Sequence, residues 1–188
     1  MNIKSAKFIK GITSDDKILH DSKPQVALVG RSNSGKSTLI NTLFGNNKLA
    51  KISKTPGRTR EINIFLINDT HYFLDLPGYG YAKASIKVAH DLNNVINWYL
   101  FNSEHCPRVI VLIDSFVGPT KDDLKIIGDI EKAEKEVFIV LNKIDKVKKS
   151  QRLNRIRILT EQFSNYKVLP YSSKEKIGID ELRKEFLL

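Results

Sequence analysis

Apolar residues in this chain fall into short runs, separated by stretches in which they recur every three or four positions. Runs at 25–29, 61–68, 71–74, 108–113, 136–141 and 167–169 read as strands. Only Asp69-Thr70 separates the second from the third, which predicts an antiparallel hairpin at a sheet edge. The remaining strands alternate with helical patterns and should be parallel, giving an α/β fold with a mixed, mostly parallel sheet and helices on both faces. One helix is expected over 38–44, stopping at Gly45. A second carries the stripe Val88, Leu92, Val95, Ile96 and Tyr99, with Trp98 on its flank as a core-edge residue. Others are expected over 121–135, 150–163 and 179–186. In the first 22 residues, Ile3, Phe8, Ile9 and Ile12 suit an extra strand or hairpin against the sheet, and Ser14-Asp15-Asp16 suits a turn. Residues 1–22 therefore read as an N-terminal extension packed on a domain of residues 23–188.

A length of 188 residues suits one domain with a real core, and the single cysteine, Cys106, has no partner for an internal disulfide. It precedes an apolar run and reads as a small packed residue. No stretch has the apolar length of a membrane span, and the lysine-bearing first ten residues lack a signal-peptide core, so a cytoplasmic location is expected. The net charge of +10 points to a polyanionic partner such as nucleic acid; the plainer alternative is a lysine-rich surface that keeps a small protein soluble.

The first run ends in Gly30-Arg31-Ser32-Asn33-Ser34-Gly35-Lys36-Ser37, which fills the phosphate-loop pattern GxxxxGK[ST] between a strand and a helix. Glycines let the backbone wrap a polyphosphate, and the following helix turns its N-terminal amides toward the anion. Lys36 would reach the β- and γ-phosphates, and the Ser37 hydroxyl would bind Mg²⁺. Asp75-Leu76-Pro77-Gly78 follows a strand: the carboxylate can hold Mg²⁺ through water, and Gly78 can turn its N–H onto a γ-phosphate.

Asn142-Lys143-Ile144-Asp145 decides the base. Guanine offers adjacent N1–H and N2 amine donors that the Asp145 carboxylate can accept together, whereas adenine does not. Asn142 would take the N7 side and tie this loop to the phosphate loop, and the aliphatic stem of Lys143 would cover the ring. Ser172-Ser173-Lys174 follows the last strand, where a backbone N–H can donate to guanine O6. Thr55-Pro56-Gly57-Arg58-Thr59-Arg60 is a turn-rich loop suited to a γ-phosphate switch, with Thr59 preferred over Thr55 as second Mg²⁺ ligand.

The ordered set GRSNSGKS, TPGRTR, DLPGYG, NKID and YSSK resembles the five nucleotide-binding boxes of translation-factor-class GTPases, with a P-loop NTPase G domain. Within that class the TPGRT segment and the run DLPGYGYA at 75–82 are similar to the EngB (YihA/YsxC) family, over nearly the whole chain. The resemblance implies a GTPase of large ribosomal subunit assembly, linked to cell division and septation, that binds GTP or GDP with Mg²⁺. Its partner would be a ribosomal precursor of rRNA and ribosomal proteins; a monomer without membrane attachment is expected. The resemblance places nucleotide contacts on residues 30–37, on Gly57, Arg58, Thr59, Arg60 and Glu61, on Asp75, Leu76, Pro77 and Gly78, on Asn142, Lys143, Ile144 and Asp145, and on Tyr171, Ser172 and Ser173. The metal ligands would be Ser37 and Thr59, and the catalytic group Lys36, Thr59, Gly78 and Asn33.

Ras-type GTPases carry a water-orienting glutamine directly after the DxxG glycine; here that residue is Tyr79, so slow intrinsic turnover is expected. Asn33 matches the asparagine with which related GTPases hold K⁺ beside the phosphates; the alternative is a local loop hydrogen bond. The basic run from Lys143 to Arg157 is a candidate contact for rRNA phosphates. A nucleotide kinase would share the phosphate loop but has no use for NKID, and a membrane-remodelling GTPase would need a stalk or anchor. A nucleotide-gated RNA- or ribosome-binding module with negligible hydrolysis remains the other reading.

Overall fold

The computed structural model describes residues 3–51, 61–80 and 86–186. Their elements run β1 (Ala6–Ile12), β2 (Gln25–Gly30), α1 (Lys36–Leu43), β3 (Ile62–Ile67), β4 (His71–Asp75), α2 (Ile86–Asn102), β5 (Arg108–Asp114), α3 (Lys121–Lys132), β6 (Glu136–Asn142), α4 (Lys149–Gln162), β7 (Lys167–Pro170) and α5 (Ile179–Phe186). The strands form one seven-stranded sheet in the order β1-β3-β4-β2-β5-β6-β7. Every pairing from β4 through β7 is parallel.

The hairpin of β3 and β4 is antiparallel as expected, but it sits one strand in from the edge. The outer place belongs to β1, which pairs antiparallel with β3 from Ala6↔Ile67 to Ile12↔Ile62. The N-terminal segment thus supplies a strand and not a hairpin of its own. Its register shifts between Phe8 and Lys10, leaving Ile9 as a bulge. Asn68 and Asp69, at φ 50° and 57°, supply the left-handed backbone of the hairpin turn. Asn68 Oδ1 also accepts from the backbone N–H groups of Lys4 (2.7 Å) and Ser5 (3.1 Å), clamping the start of β1 to the turn.

Strands β2, β5 and β6 are buried on both faces, which is why they read as unbroken apolar runs. One face packs Val29, Val111 and Ile139 against Ile96 and Tyr99 of α2, Ile126 and Ile130 of α3 and Leu159 of α4. The other packs Leu28, Leu112 and Val140 against Leu39, Ile40 and Leu43 of α1 and Leu182 of α5. Trp98 is half-buried at the core edge, and Cys106 is buried with its thiol on the Arg108 carbonyl. Helix α3 stops three residues short of the expected 135. Glu134 turns left-handed at φ 56°, and Lys135 N–H returns to the Ile130 carbonyl at 3.2 Å, a closing bond that ends the helix.

Parallel strands that share a direction place their C-terminal ends together. That edge gathers Gly30, Asp75, Asp114, Asn142 and the segment after Pro170, so every described motif lies on one rim of the sheet.

Candidate nucleotide site

Residues 30–37 leave β2, fold back and enter α1 at Gly35, whose φ of 105° no side chain adopts easily. A Cβ there would also lie 2.5 Å from Asn142 Nδ2, so glycine is required by space as well as by conformation. Lys36 is half-buried, with Nζ on the Gly30 carbonyl at 3.3 Å, and desolvation lowers the pKa of its ammonium while the charge of Asp75 opposes that shift. Asp75 is 4% exposed. Burial pushes its carboxyl up to about 6, with Lys36 pulling the other way. Asp75 Oδ1 and Ser34 Oγ are both buried with no hydrogen-bond partner among the described residues. A half-buried ammonium, with a carboxylate oxygen and a hydroxyl that have no partner among the described residues, makes a cradle that is polar and unfinished. Ser37 stands half-buried in the first turn of α1.

Leu76 and Pro77 are buried, and Leu76 N–H bonds the Leu28 carbonyl at 3.0 Å, so the DxxG segment is laid down by the sheet. It then crosses the phosphate loop. A Cβ on Gly78 would stand 3.1 Å from Lys36 Nζ and 3.2 Å from Ser32 N, and Ser32 N–H donates to the Tyr79 carbonyl at 2.8 Å. Arg31 pairs with Tyr79 as an isolated bridge. The Tyr79 side chain turns away into the core, its hydroxyl donating to Asp123 Oδ1 at 2.8 Å.

The loop after β6 is fastened to the phosphate loop twice. Asn142 Nδ2 donates to the Ser34 carbonyl at 2.8 Å, and Lys143 Nζ donates to the Asn33 carbonyl at 2.6 Å. Asn142 Oδ1 accepts from Lys143 N–H at 2.7 Å, which leaves one amide hydrogen of Asn142 for a ligand. Lys143 takes φ 60°, and its ammonium also meets Asp114 Oδ2 at 2.7 Å. Ile144 is a core residue, its N–H on the Tyr171 carbonyl at 3.4 Å. Asp145 is half-exposed and accepts from the Ser172 hydroxyl at 2.7 Å.

The family resemblance places a nucleotide contact at Tyr171. Its side chain is fully buried against the α1 and α5 face, with the phenol pushed up to about 12 by burial, so only its backbone serves the loop. Ser173 is half-buried and Lys174 exposed beside it. Gly57, Arg58, Thr59 and Arg60, with Thr55, lie outside the described residues. Glu61 is exposed and its carboxylate lies against Gly11 of β1. Asn33 is exposed at φ 65°. Three residues escaped the sequence reading: Asp114, the Ser172 hydroxyl as a brace for Asp145, and Asp123. The Thr120-x-x-Asp123 spacing signals a helix-capping box, so Asp123 carried a local signal, whereas Asp114 meets Lys143 only because its strand ends opposite Asn142.

The basic run is mostly spoken for. Lys143 holds Asp114, Arg152 holds Glu175 (2.6 Å), Arg155 bonds the Ser115 carbonyl (2.8 Å) and Arg157 pairs with Glu161 (3.1 Å). Lys146, Lys148 and Lys149 remain exposed, with no ion pair among the described residues.

A mostly parallel sheet with one rim carrying a phosphate loop, a DxxG strap and an NKxD loop bolted to it defines a P-loop GTPase. A family model described as "50S ribosome-binding GTPase" matches residues 25–143. The "Probable GTP-binding protein EngB" of Caldanaerobacter subterraneus subsp. tengcongensis is 40% identical over 99% of this chain and 97% of its own length. A solved "probable GTP-binding protein engB" superposes with a TM-score of 0.67 at 22% identity, covering 85% of this chain and 94% of that one. Era, solved with MgGDPNP and nucleotides 1506–1542 of 16S ribosomal RNA, gives a TM-score of 0.69 at 31% identity, over 86% of this chain and 55% of Era. The chain belongs to the EngB family of GTP-binding proteins.

Proposed function

We propose that this protein is a GTP-hydrolysing switch that acts in assembly of the large ribosomal subunit and is needed for normal cell division and septation. One observation carries the guanine-switch part: the loop bearing Asp145 is bonded to the phosphate loop through Asn142–Ser34 and Lys143–Asn33, so base and phosphates are read by one rigid unit. Contacts fall on residues 30–37, 57–61, 75–78, 142–145 and 171–173, with Asp145 reading the guanine edge and Lys36 the terminal phosphates. The unfinished cradle of Asp75 Oδ1 and Ser34 Oγ suits a Mg²⁺–nucleotide, with Ser37 and Thr59 as direct ligands and Asp75 acting through water. When bound, the ion neutralises charge developing between the β- and γ-phosphates. Gly78 N–H and Thr59 engage the γ-phosphate, and its loss releases both segments.

Turnover is slow without a partner, because Tyr79 is committed to Asp123 and leaves water orientation to other groups. Asn33 holding K⁺ is one route to acceleration. The ribosomal role rests on the family description and on the basic surface, and Era offers a resembling protein solved with ribosomal RNA. The protein works in the cytoplasm as a monomer, with residues 1–22 as an extension whose strand β1 completes the sheet. The engaged Tyr79 also favours a second reading, a nucleotide-gated ribosome-binding module with negligible hydrolysis; phosphate release measured with and without ribosomal particles separates the two.

The test is calorimetric titration of nucleotide-free protein with GDP and ADP in Mg²⁺ buffer, for the wild type and Asp145→Asn. GDP binding without ADP binding, with that preference lost in the variant, is expected. Equal binding of both nucleotides by the wild type overturns the reading.

A further inference from the structure

Tyr79 lies between two glycines, Gly78 and Gly80, the second at φ 67°. Such a backbone has little stiffness of its own. Its placement comes instead from two bonds made by Tyr79: the carbonyl accepts from Ser32 N–H at 2.8 Å, and the hydroxyl donates to Asp123 Oδ1 at 2.8 Å. Asp123 is 2% exposed and cannot swing, because its Oδ2 accepts from both the N–H and the hydroxyl of Thr120, each at 2.7 Å. The first of these, with Asp123 N–H donating back to Thr120 Oγ1 at 3.4 Å, makes the capping box of α3. The carboxylate that closes the first turn of α3 therefore also anchors the residue next to Gly78, across 44 positions of sequence.

We propose that Tyr79 is a positioning residue: anchored on Asp123, it sets the place of the Gly78 N–H over Lys36 and Ser32 and couples recognition of the third phosphate to the first turn of α3. This rests on the GTP-switch reading above. A glutamine at this position would point toward the reacting phosphate; this tyrosine points into the core, exchanging water orientation for control of the strap. A γ-phosphate that draws on Gly78 loads the Tyr79–Asp123 bond, and the load arrives at the Thr120 cap. Leu124, 51% exposed on the same first turns of α3, then lies where a partner can sense the change.

The test compares affinities for GDP and for the β,γ-imido analogue of GTP in the wild type and Tyr79→Phe, which keeps the ring and removes only the hydroxyl. Gly78 has no role toward GDP, so a loss of about tenfold for the analogue with GDP affinity held within about twofold is expected, the size of one lost buried hydrogen bond. Equal losses for both nucleotides, or no change, overturn the proposal. Failure of the wild type to bind GDP would instead overturn the GTP-switch reading, so the two are distinguishable. A measurement on the wild type alone covers a variant that folds poorly. Backbone amides of residues 121–124 should exchange at different rates in the GDP and analogue complexes, and identical rates overturn the coupling.

Discussion

The ammonium of Lys143 sits between Asp114 Oδ2, at 2.7 Å, and the Asn33 carbonyl, at 2.6 Å. One side chain thus joins the ends of β5 and β6 to the phosphate loop. Asp114 completes the arrangement with its other oxygen, which accepts from the N–H groups of Phe116 and Val117 at 3.0 and 3.3 Å.

Removing that carboxylate should loosen the base loop without changing what it recognises. Asp114→Ala is expected to weaken GDP binding by about tenfold, the scale of a charge-assisted bond in a half-buried site. The preference for GDP over ADP should stay, since Asp145 is untouched. Nucleotide dissociation followed by fluorescence would show a faster off-rate; an unchanged rate would mean that Asn33 alone holds the ammonium.

Ser172→Ala bears on base selection. The hydroxyl fixes Asp145 Oδ1 at 2.7 Å and accepts Glu175 N–H at 3.1 Å. Without it Asp145 is free to rotate away from the two-donor edge of guanine, so GDP affinity should fall by about five- to tenfold. ADP titration of the same variant should show no compensating gain.

Acidity should act through Asp75. Its carboxyl is raised to about 6 by burial. An acid whose folded pKa exceeds its unfolded value of about 4 gives stability that is complete below the unfolded value and is lost as pH rises through the folded one. The nucleotide-free protein should therefore lose stability between about pH 4 and about pH 6 from this group, by up to about 3 kcal/mol. Asp75→Asn should flatten that limb in denaturant titrations run across the range. Binding of a Mg²⁺–nucleotide needs the ionised form and should weaken as pH falls below about 6.

Asn41 offers a purely structural test. Buried in α1, it bonds the Asn47 and Ala50 carbonyls at 3.1 and 3.0 Å and accepts Ala50 N–H at 2.7 Å, pinning the chain just before the loop that carries Thr55 and Thr59. Asn41→Ala strands the two buried backbone groups of Ala50 and frees the exposed Asn47 carbonyl, and should cost about 2–3 kcal/mol in chemical unfolding.

Among the basic residues near α4, the unpaired lysines should govern contact with RNA. Joint replacement of Lys148 and Lys149 by alanine should lower the slope of log affinity against log salt by about 2 for a ribosomal RNA fragment. Arg152→Ala should instead reduce stability, because its guanidinium is engaged with Glu175 and the Asp145 carbonyl. A slope that moves with Arg152 and not with the lysines would reverse that division.

The pattern of the chain told most about the parts where structure is local. Strands buried on two faces appear as unbroken runs, and the glycines of the phosphate loop announce a backbone that only they can follow. β1 was harder to read because the bulge at Ile9 breaks its alternation, so Phe8 and Ile9 fall together and the period of two is lost. The long-range bonds were invisible for a different reason. Nothing near Tyr79 says that its hydroxyl will meet Asp123, and nothing near Lys143 names Asp114 as its partner; such pairs are made by the register of strands that are distant in sequence. At Tyr171 the motif position constrains the backbone, while the side chain answers to the core beneath.

The edge strand has a consequence for how the molecule is made. Residues Ala6–Ile12 are translated well before the strand they bond to, which ends at Ile67, so β1 must wait for β3 to be synthesised before the two can meet. Until then Phe8 and Ile9, which later lie along β3, have no sheet to pair with and leave two apolar side chains uncovered on the growing chain.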